Sequence, residues 1–160
     1  MIANVYICLV TDQLTDEELR VWRSALTIAD ILRYRVSLDV KAISDLSQAE
    51  HSVLMHIKEA GGAGLGQQKL ADTMFWSKSR LSRQLSRMQA KGLVERTMGA
   101  DKTVRVALTD RGRQAIDATD GAHAMSVRRN LFQVATGKEL TVLLRLADRL
   151  RHEVDGDLPH

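Results

Sequence analysis

Lys78, Arg80, Arg83 and Arg87 lie within a stretch of sixteen residues, Ser77 to Gly92, that contains no aspartate or glutamate. An exposed helix ordinarily mixes signs to gain i,i+4 ion pairs, whereas Arg83 and Arg87, four apart, repel each other. On a helical wheel Leu81, Leu85 and Met88 gather in a narrow apolar arc at i, i+4, i+7 spacing. Ser79, Arg83 and Arg87 fall on the opposite side, with Arg80 beside them. Such a helix seats one stripe on a core and presents an uncompensated cationic stripe outward. The simplest partner for that stripe is a polyanion, above all a nucleic acid.

The flanking residues say how the helix is held. Ser77 has the side chain of an N-cap, and Gly92 sits where a left-handed residue ends a helix. Before Ser77, the segment Leu65 to Met74 carries Leu70, Ala71 and Met74 on one side and predicts a short helix, with Phe75 and Trp76 as the turn. Short helix, tight turn and basic helix have helix-turn-helix spacing, in which the second helix enters the major groove. After Gly92, Leu93 to Thr97 and Thr103 to Leu108 are β-rich runs joined by Met98 to Lys102. This predicts a two-stranded hairpin, a wing, with Lys102 at its tip and Arg105 on its return strand.

Longer helices enclose this unit. Thr15 with Glu18, Ser47 with Glu50 and Thr136 with Glu139 have the form of capping boxes. Behind the first, Leu19, Trp22, Leu26, Ala29, Leu32 and Val36 repeat at helical spacing for about six turns. Behind the second come Val53, Leu54 and Ile57, stopped by Gly61, Gly62 and Gly64. Thr109 predicts a cap for a helix running through Ala115 and Ile116 and onward to Met125, Val127 and Leu131. The last helix carries Leu140, Leu143, Leu144, Ala147, Leu150 and Val154, an a/d-like seam. A small winged unit has too little surface to bury these terminal helices, so a second copy of the chain is the expected partner.

Composition agrees with this division. The chain has 160 residues, 44% hydrophobic and 27% charged, with one proline and one cysteine. That suits one mainly helical domain spanning 1–160 in a reducing cytoplasm, with no intrachain disulfide possible. Net charge is +3, yet Ser77 to Arg113 holds ten lysines and arginines against three acids, +7, leaving −4 elsewhere. The apolar start, MIANVYICLV, lacks a basic n-region and is too short to cross a bilayer, so it reads as an arm against a neighbouring subunit. Chemistry of other kinds finds no support. No HExxH or cysteine pair accompanies His51, His56 and His123, no nucleophile motif occurs, and the glycines from 61 to 66 lack the Lys-Ser/Thr of a phosphate loop. No cofactor and no enzyme activity are expected.

The runs LSQAEHSVLMHI, QQKLADTM-FWSKSRLSRQLSRMQAKGLVER, LTDRG and VRRNLFQVATGKEL resemble the MarR-type winged helix-turn-helix regulators of bacteria, over roughly Thr15 to Val154. The resemblance implies a homodimeric, sequence-specific regulator of transcription. Its winged domain, about 45–109, would be flanked by dimerisation helices at about 1–40 and 110–160. Carried onto this sequence, Ser77, Lys78, Ser79, Arg80, Ser82, Arg83 and Arg87 fall on the DNA-facing helix. Gln67, Gln68 and Lys69 fall near the phosphate backbone. Arginines would read guanine O6 and N7, while hydroxyls and wing cations would hold phosphates. The family's wing usually carries Asp-x-Arg; here Asp101 is followed by Lys102 and Thr103, so Lys102 or Arg105 takes the part of the wing arginine. Family members commonly act as repressors that leave a palindromic operator when a small, often aromatic, effector enters between the dimer helices and the winged domain. Trp22, Tyr34, His51, Met55 and Trp76 are the candidates for that site. Two alternatives keep the fold: a thiol-based redox sensor using Cys8, and a protein-interaction module that has lost DNA binding.

Overall fold

The computed structural model describes residues 13–61 and 64–157. The N-terminal arm, Cys8 and Gly62 lie outside the described residues. Helix α1 (Asp16–Lys41) opens with the expected capping box: Glu18 N–H donates to Thr15 Oγ1 at 3.2 Å, and Thr15 N–H donates to Glu18 Oε2 at 2.8 Å. Helix α2 (Gln48–Glu59) repeats the device with Ser47 and Glu50. Each box satisfies two backbone or hydroxyl groups that a helix start otherwise leaves to water. Gly61, at φ 92°, ends the second helix in a conformation that costs a side-chain-bearing residue about 1–2 kcal/mol.

Strand β1 (Leu65–Gly66) precedes α3 (Gln67–Thr73), and α4 (Lys78–Ala90) follows the turn. Strands β2 (Val94–Met98) and β3 (Val104–Leu108) form the hairpin. The sheet is antiparallel in the order β1-β3-β2, with Val94 opposite Leu108, Met98 opposite Val104 and Leu65 opposite Val106. It therefore has three strands where the sequence predicts two. Leu65 and Gly66 were assigned to the short helix, but pairing with β3 takes them, and α3 starts only at Gln67.

One core joins these elements. Val53, Leu54 and Ile57 of α2, Leu70 of α3, Leu81, Leu85 and Met88 of α4, and Val106 of β3 are completely buried. At about 1.5–3 kcal/mol for each large side chain removed from water, this cluster dominates the stability of the winged unit. At the wing's foot the chain approaches itself closely. Thr109 N–H donates to Leu93 O at 3.3 Å and Thr109 Oγ1 donates to Gly92 O at 2.6 Å. Gly112 lies so near that a Cβ there would overlap the Leu93 carbonyl oxygen.

Beyond the wing, the single predicted helix is broken. Helix α5 (Asp110–Asp117) ends at Ala118, α6 (Asp120–Val127) begins after Thr119, and a π-helical turn follows at Arg128–Phe132. The buried Thr119 hydroxyl donates to Ile116 O at 2.7 Å, a local side-chain bond that competes with regular helix. Lys58 fastens the joint from α2, its Nζ 2.7 Å from Asp117 and 2.6 Å from Asp120. The π-helical turn meets α1 through Arg129 and Asp39, 2.5 Å apart. Helix α7 (Gly137–Asp157) starts at the expected Thr136–Glu139 box. None of its residues from 137 to 154 is buried.

Candidate nucleic-acid interface

Helix α4 is positioned by its own amphipathicity. Leu81, Leu85 and Met88 are fully buried, and Ser77 Oγ accepts the Arg80 N–H at 3.3 Å to cap the first turn. Gly92, at φ 68°, closes the far end as the sequence predicts. With the apolar stripe fixed inward, Lys78, Ser79, Arg80, Arg83 and Arg87 are all exposed, and Ser82 is half-buried. None of these cations pairs with a carboxylate among the described residues. Lys78 and Arg83 make no side-chain bond at all there. Arg87 donates to Gln84 Oε1, and the Arg80 guanidinium lies over the Trp76 ring, 3.9 Å from its centroid. The stripe is thus an open row of donors with no carboxylate among the described residues to neutralise it.

Two neighbouring cations differ. Lys91, just past α4, is 2.7 Å from Glu50, a buried carboxylate at the start of α2. Burial pushes Glu50 towards protonation, but the Lys91 ammonium and the Ser47 N–H and hydroxyl outweigh it and hold the carboxyl below its usual range. Lys91 therefore joins two helices rather than facing a partner. On the wing, Arg105 lies 3.5 Å from Asp101, whose other oxygen accepts the Thr103 hydroxyl and N–H at 2.6 and 3.1 Å. Those two hydrogen bonds, ahead of Arg105, lower the Asp101 pKa. Lys102, exposed at the tip with φ 59°, keeps its ammonium free of any carboxylate. Of the two wing cations in the sequence reading, Lys102 is the one left open. Ahead of α4, Gln67 is half-buried, while Gln68 and Lys69 are exposed on α3; Gln68 donates to Asp72 at 2.6 Å.

A crevice separates α1 from the winged unit. A cavity of about 340 Å³ is lined by Leu32, Val36 and Val40 of α1, His51 and Met55 of α2, and His123 of α6. A second, of about 620 Å³, lies between Tyr34 of α1, Ala49 of α2, and Phe75, Trp76 and Arg80 at the helix-turn-helix turn. Arg33, Ser37, Gln48, Ser52 and His56 line both, so the two are adjoining parts of one crevice. Four of the five aromatic or sulfur-bearing candidates thus meet there. Trp22 does not: it stands 55% exposed on α1, away from both cavities. Arg33 and His56 line the crevice but are not among the effector candidates the sequence offers, because nothing in their local pattern reveals what packs against α1.

His51 is the buried polar group of the crevice. Its Nε2 is 3.2 Å from Thr119 Oγ1, whose proton goes to Ile116 O, so Nε2–H is the donor. Burial, reinforced by His123 with ring centroids 5.3 Å apart and opposed by Asp120, lowers its pKa to about 4. The imidazole is neutral near pH 7. No group of three or more histidines, cysteines or acids among the described residues is placed to hold a metal ion. No helix there is long and apolar enough to cross a membrane.

Residues 44–102 match the model of the MarR family. The whole fold is similar to that of AbsC, a MarR family transcriptional regulator from Streptomyces coelicolor, at 27% identity and a TM-score of 0.80, covering 92% of this chain and 100% of that one. It is also similar to Sco3205, another such regulator from Streptomyces coelicolor, solved in complex with DNA. That match has 25% identity and a TM-score of 0.76, over 92% of this chain and 95% of that one. A mutant MarR from E. coli complexed with operator DNA shares the fold at 21% identity and a TM-score of 0.74, over 86% of this chain and 98% of that one. No curated protein matches the chain.

Proposed function

We propose that the chain is a winged-helix transcriptional regulator of the MarR type, to which its residues 44–102 and its fold are similar, and that it acts as a homodimeric repressor, bound to a palindromic operator and released from it by a small aromatic effector. The observation that supports DNA reading is the exposed row Lys78, Arg80, Arg83 and Arg87, which, like Lys102 of the wing, pairs with no carboxylate among the described residues. Arg83 and its neighbours read base edges in the major groove; Ser77, Ser79, Ser82, Gln67, Gln68, Lys69 and Lys102 hold phosphates and set register. The apolar faces of α1 and α7, where Leu26, Ile31, Leu144 and Leu150 stand 44–66% exposed, support the homodimer. The effector site is the crevice lined by Tyr34, His51, Met55 and Trp76.

Titration of the protein into duplexes selected from a randomised pool, and into the unselected pool, at two salt concentrations tests this reading. A dimer neutralising about eight phosphates gives a slope of log K against log salt near −7. The selected sites should be palindromic, with half-sites centred about 10 base pairs apart or a multiple of that. Binding indifferent to both salt and sequence would sink the proposal. Release of the selected duplex by members of a panel of small aromatic acids and phenols tests the effector.

A further inference from the structure

Helix α4 departs at one position from the three helices that open on a capping box. In α1, α2 and α7 the third residue after the Ser or Thr cap is glutamate (Glu18, Glu50 and Glu139), which closes the capping box and suits the positive end of the helix. In α4 the same position is Arg80, and the first turn holds no acid. A cation there is disfavoured by the helix dipole and gains no backbone partner. What it has instead is the face of Trp76, with its guanidinium carbon 3.9 Å from the ring centroid.

We propose that Trp76 is a positioning residue for Arg80, so that the turn before α4, as well as α4 itself, sets how selectively the protein reads DNA. The inference rests on α4 being the DNA-reading helix. The ring is a fixed platform. It is half-buried against the core, and its backbone N–H donates to Ala71 O at 2.9 Å. The preceding Phe75 is held at φ 52°, an uncommon conformation for a bulky residue, so the turn admits few alternatives. A guanidinium stacked by its face keeps its in-plane N–H donors free. Stacking therefore removes much of the side chain's torsional freedom without using the edge that pairs with a base. Less entropy is then lost when DNA binds. Arg83 and Lys78, with no comparable restraint, form their contacts from a wider range of rotamers.

Binding of Trp76→Leu, Trp76→Phe, Arg80→Ala and the Trp76→Leu/Arg80→Ala double variant to wild-type-selected duplexes and to the unselected pool tests this. Trp76→Leu is expected to weaken selected binding about three- to tenfold, the cost of immobilising one freed side chain on binding, and to leave pool binding unchanged. Trp76→Phe should retain most of the selectivity, and Trp76→Leu should cost nothing further once Arg80 is alanine. Equal losses on both DNAs, or additive losses in the double variant, would overturn the inference. Should Trp76→Leu fail to fold, Trp76→Met, which also removes the ring, closes the same cycle with Arg80→Ala, and an additive result there overturns it equally. A wild type that does not discriminate between the two DNAs overturns the DNA-reading function and this inference together. Discrimination untouched by the Trp76 variants overturns this inference alone.

Discussion

Leu54, Ile57, Leu81 and Leu85, on α2 and α4, are completely buried within one chain, whereas Leu26, Ile31, Leu144 and Leu150, on α1 and α7, are 44–66% exposed. Residue types and helical spacing are alike in the two sets. In the first, the helices close on one another and on the sheet. In the second, the apolar stripe faces away from the rest of its own chain. Amphipathic periodicity states that a face has to be covered, and leaves open whether the cover comes from the same chain or another. The winged unit closes its own core; the apolar faces of the terminal helices stay open, and the proposed second copy would cover them.

The contrast is most sharply broken by core truncation. Leu54→Ala should lower unfolding stability by about 2–5 kcal/mol, the usual cost of removing a buried leucine side chain. For Leu144→Asp on α7, sedimentation should instead show a shift from dimer to monomer, with the winged unit's amide protection intact. If Leu144→Asp unfolds the wing as thoroughly as Leu54→Ala, the two regions are not separable.

His51, at the seam between the two regions, gives the next effect. Its pKa is depressed in the folded state, so its contribution is fully present above the unfolded value near 6.5 and is lost as the pH falls towards about 4. Denaturation followed across that window should show a loss approaching 3 kcal/mol, and His51→Gln should flatten it. An unchanged profile in His51→Gln would mean that the crevice is open to water.

Smaller effects are expected from the surface proposed to face DNA. Arg83→Ala should cost about 1–3 kcal/mol on a selected duplex and much less on random sequence. Lys102→Ala should weaken both about equally and reduce the salt slope of the dimer by about 2, one contact from each subunit. Equal behaviour of the two variants would contradict the separate parts given to helix and wing.

Much of this organisation was legible in the sequence because its signals are local. The three capping boxes, the Ser77 and Thr109 caps and the Gly92 stop each depend on side chains within a few residues of the backbone they serve. What escaped depends on distant partners. A two-residue strand such as Leu65–Gly66 is too short to show a period, and only β3 makes it a strand. The break at Thr119 needs Lys58, from the far end of α2, to hold both sides of the joint. In the interface the cationic row was readable. The pairing of Lys91 with Glu50 and of Arg105 with Asp101, and the exclusion of Trp22 from the crevice, emerged only from packing.

The overlap that any side chain at Gly112 would make with the Leu93 carbonyl has a dynamic consequence. Backbone rests directly on backbone there, so the hairpin is clamped at its foot to the first turn of α5. Amide exchange should accordingly be slow around Leu93 and Thr109, whose N–H groups bond Met88 O and Leu93 O, and Gly112→Ala should loosen that clamp and speed exchange at both.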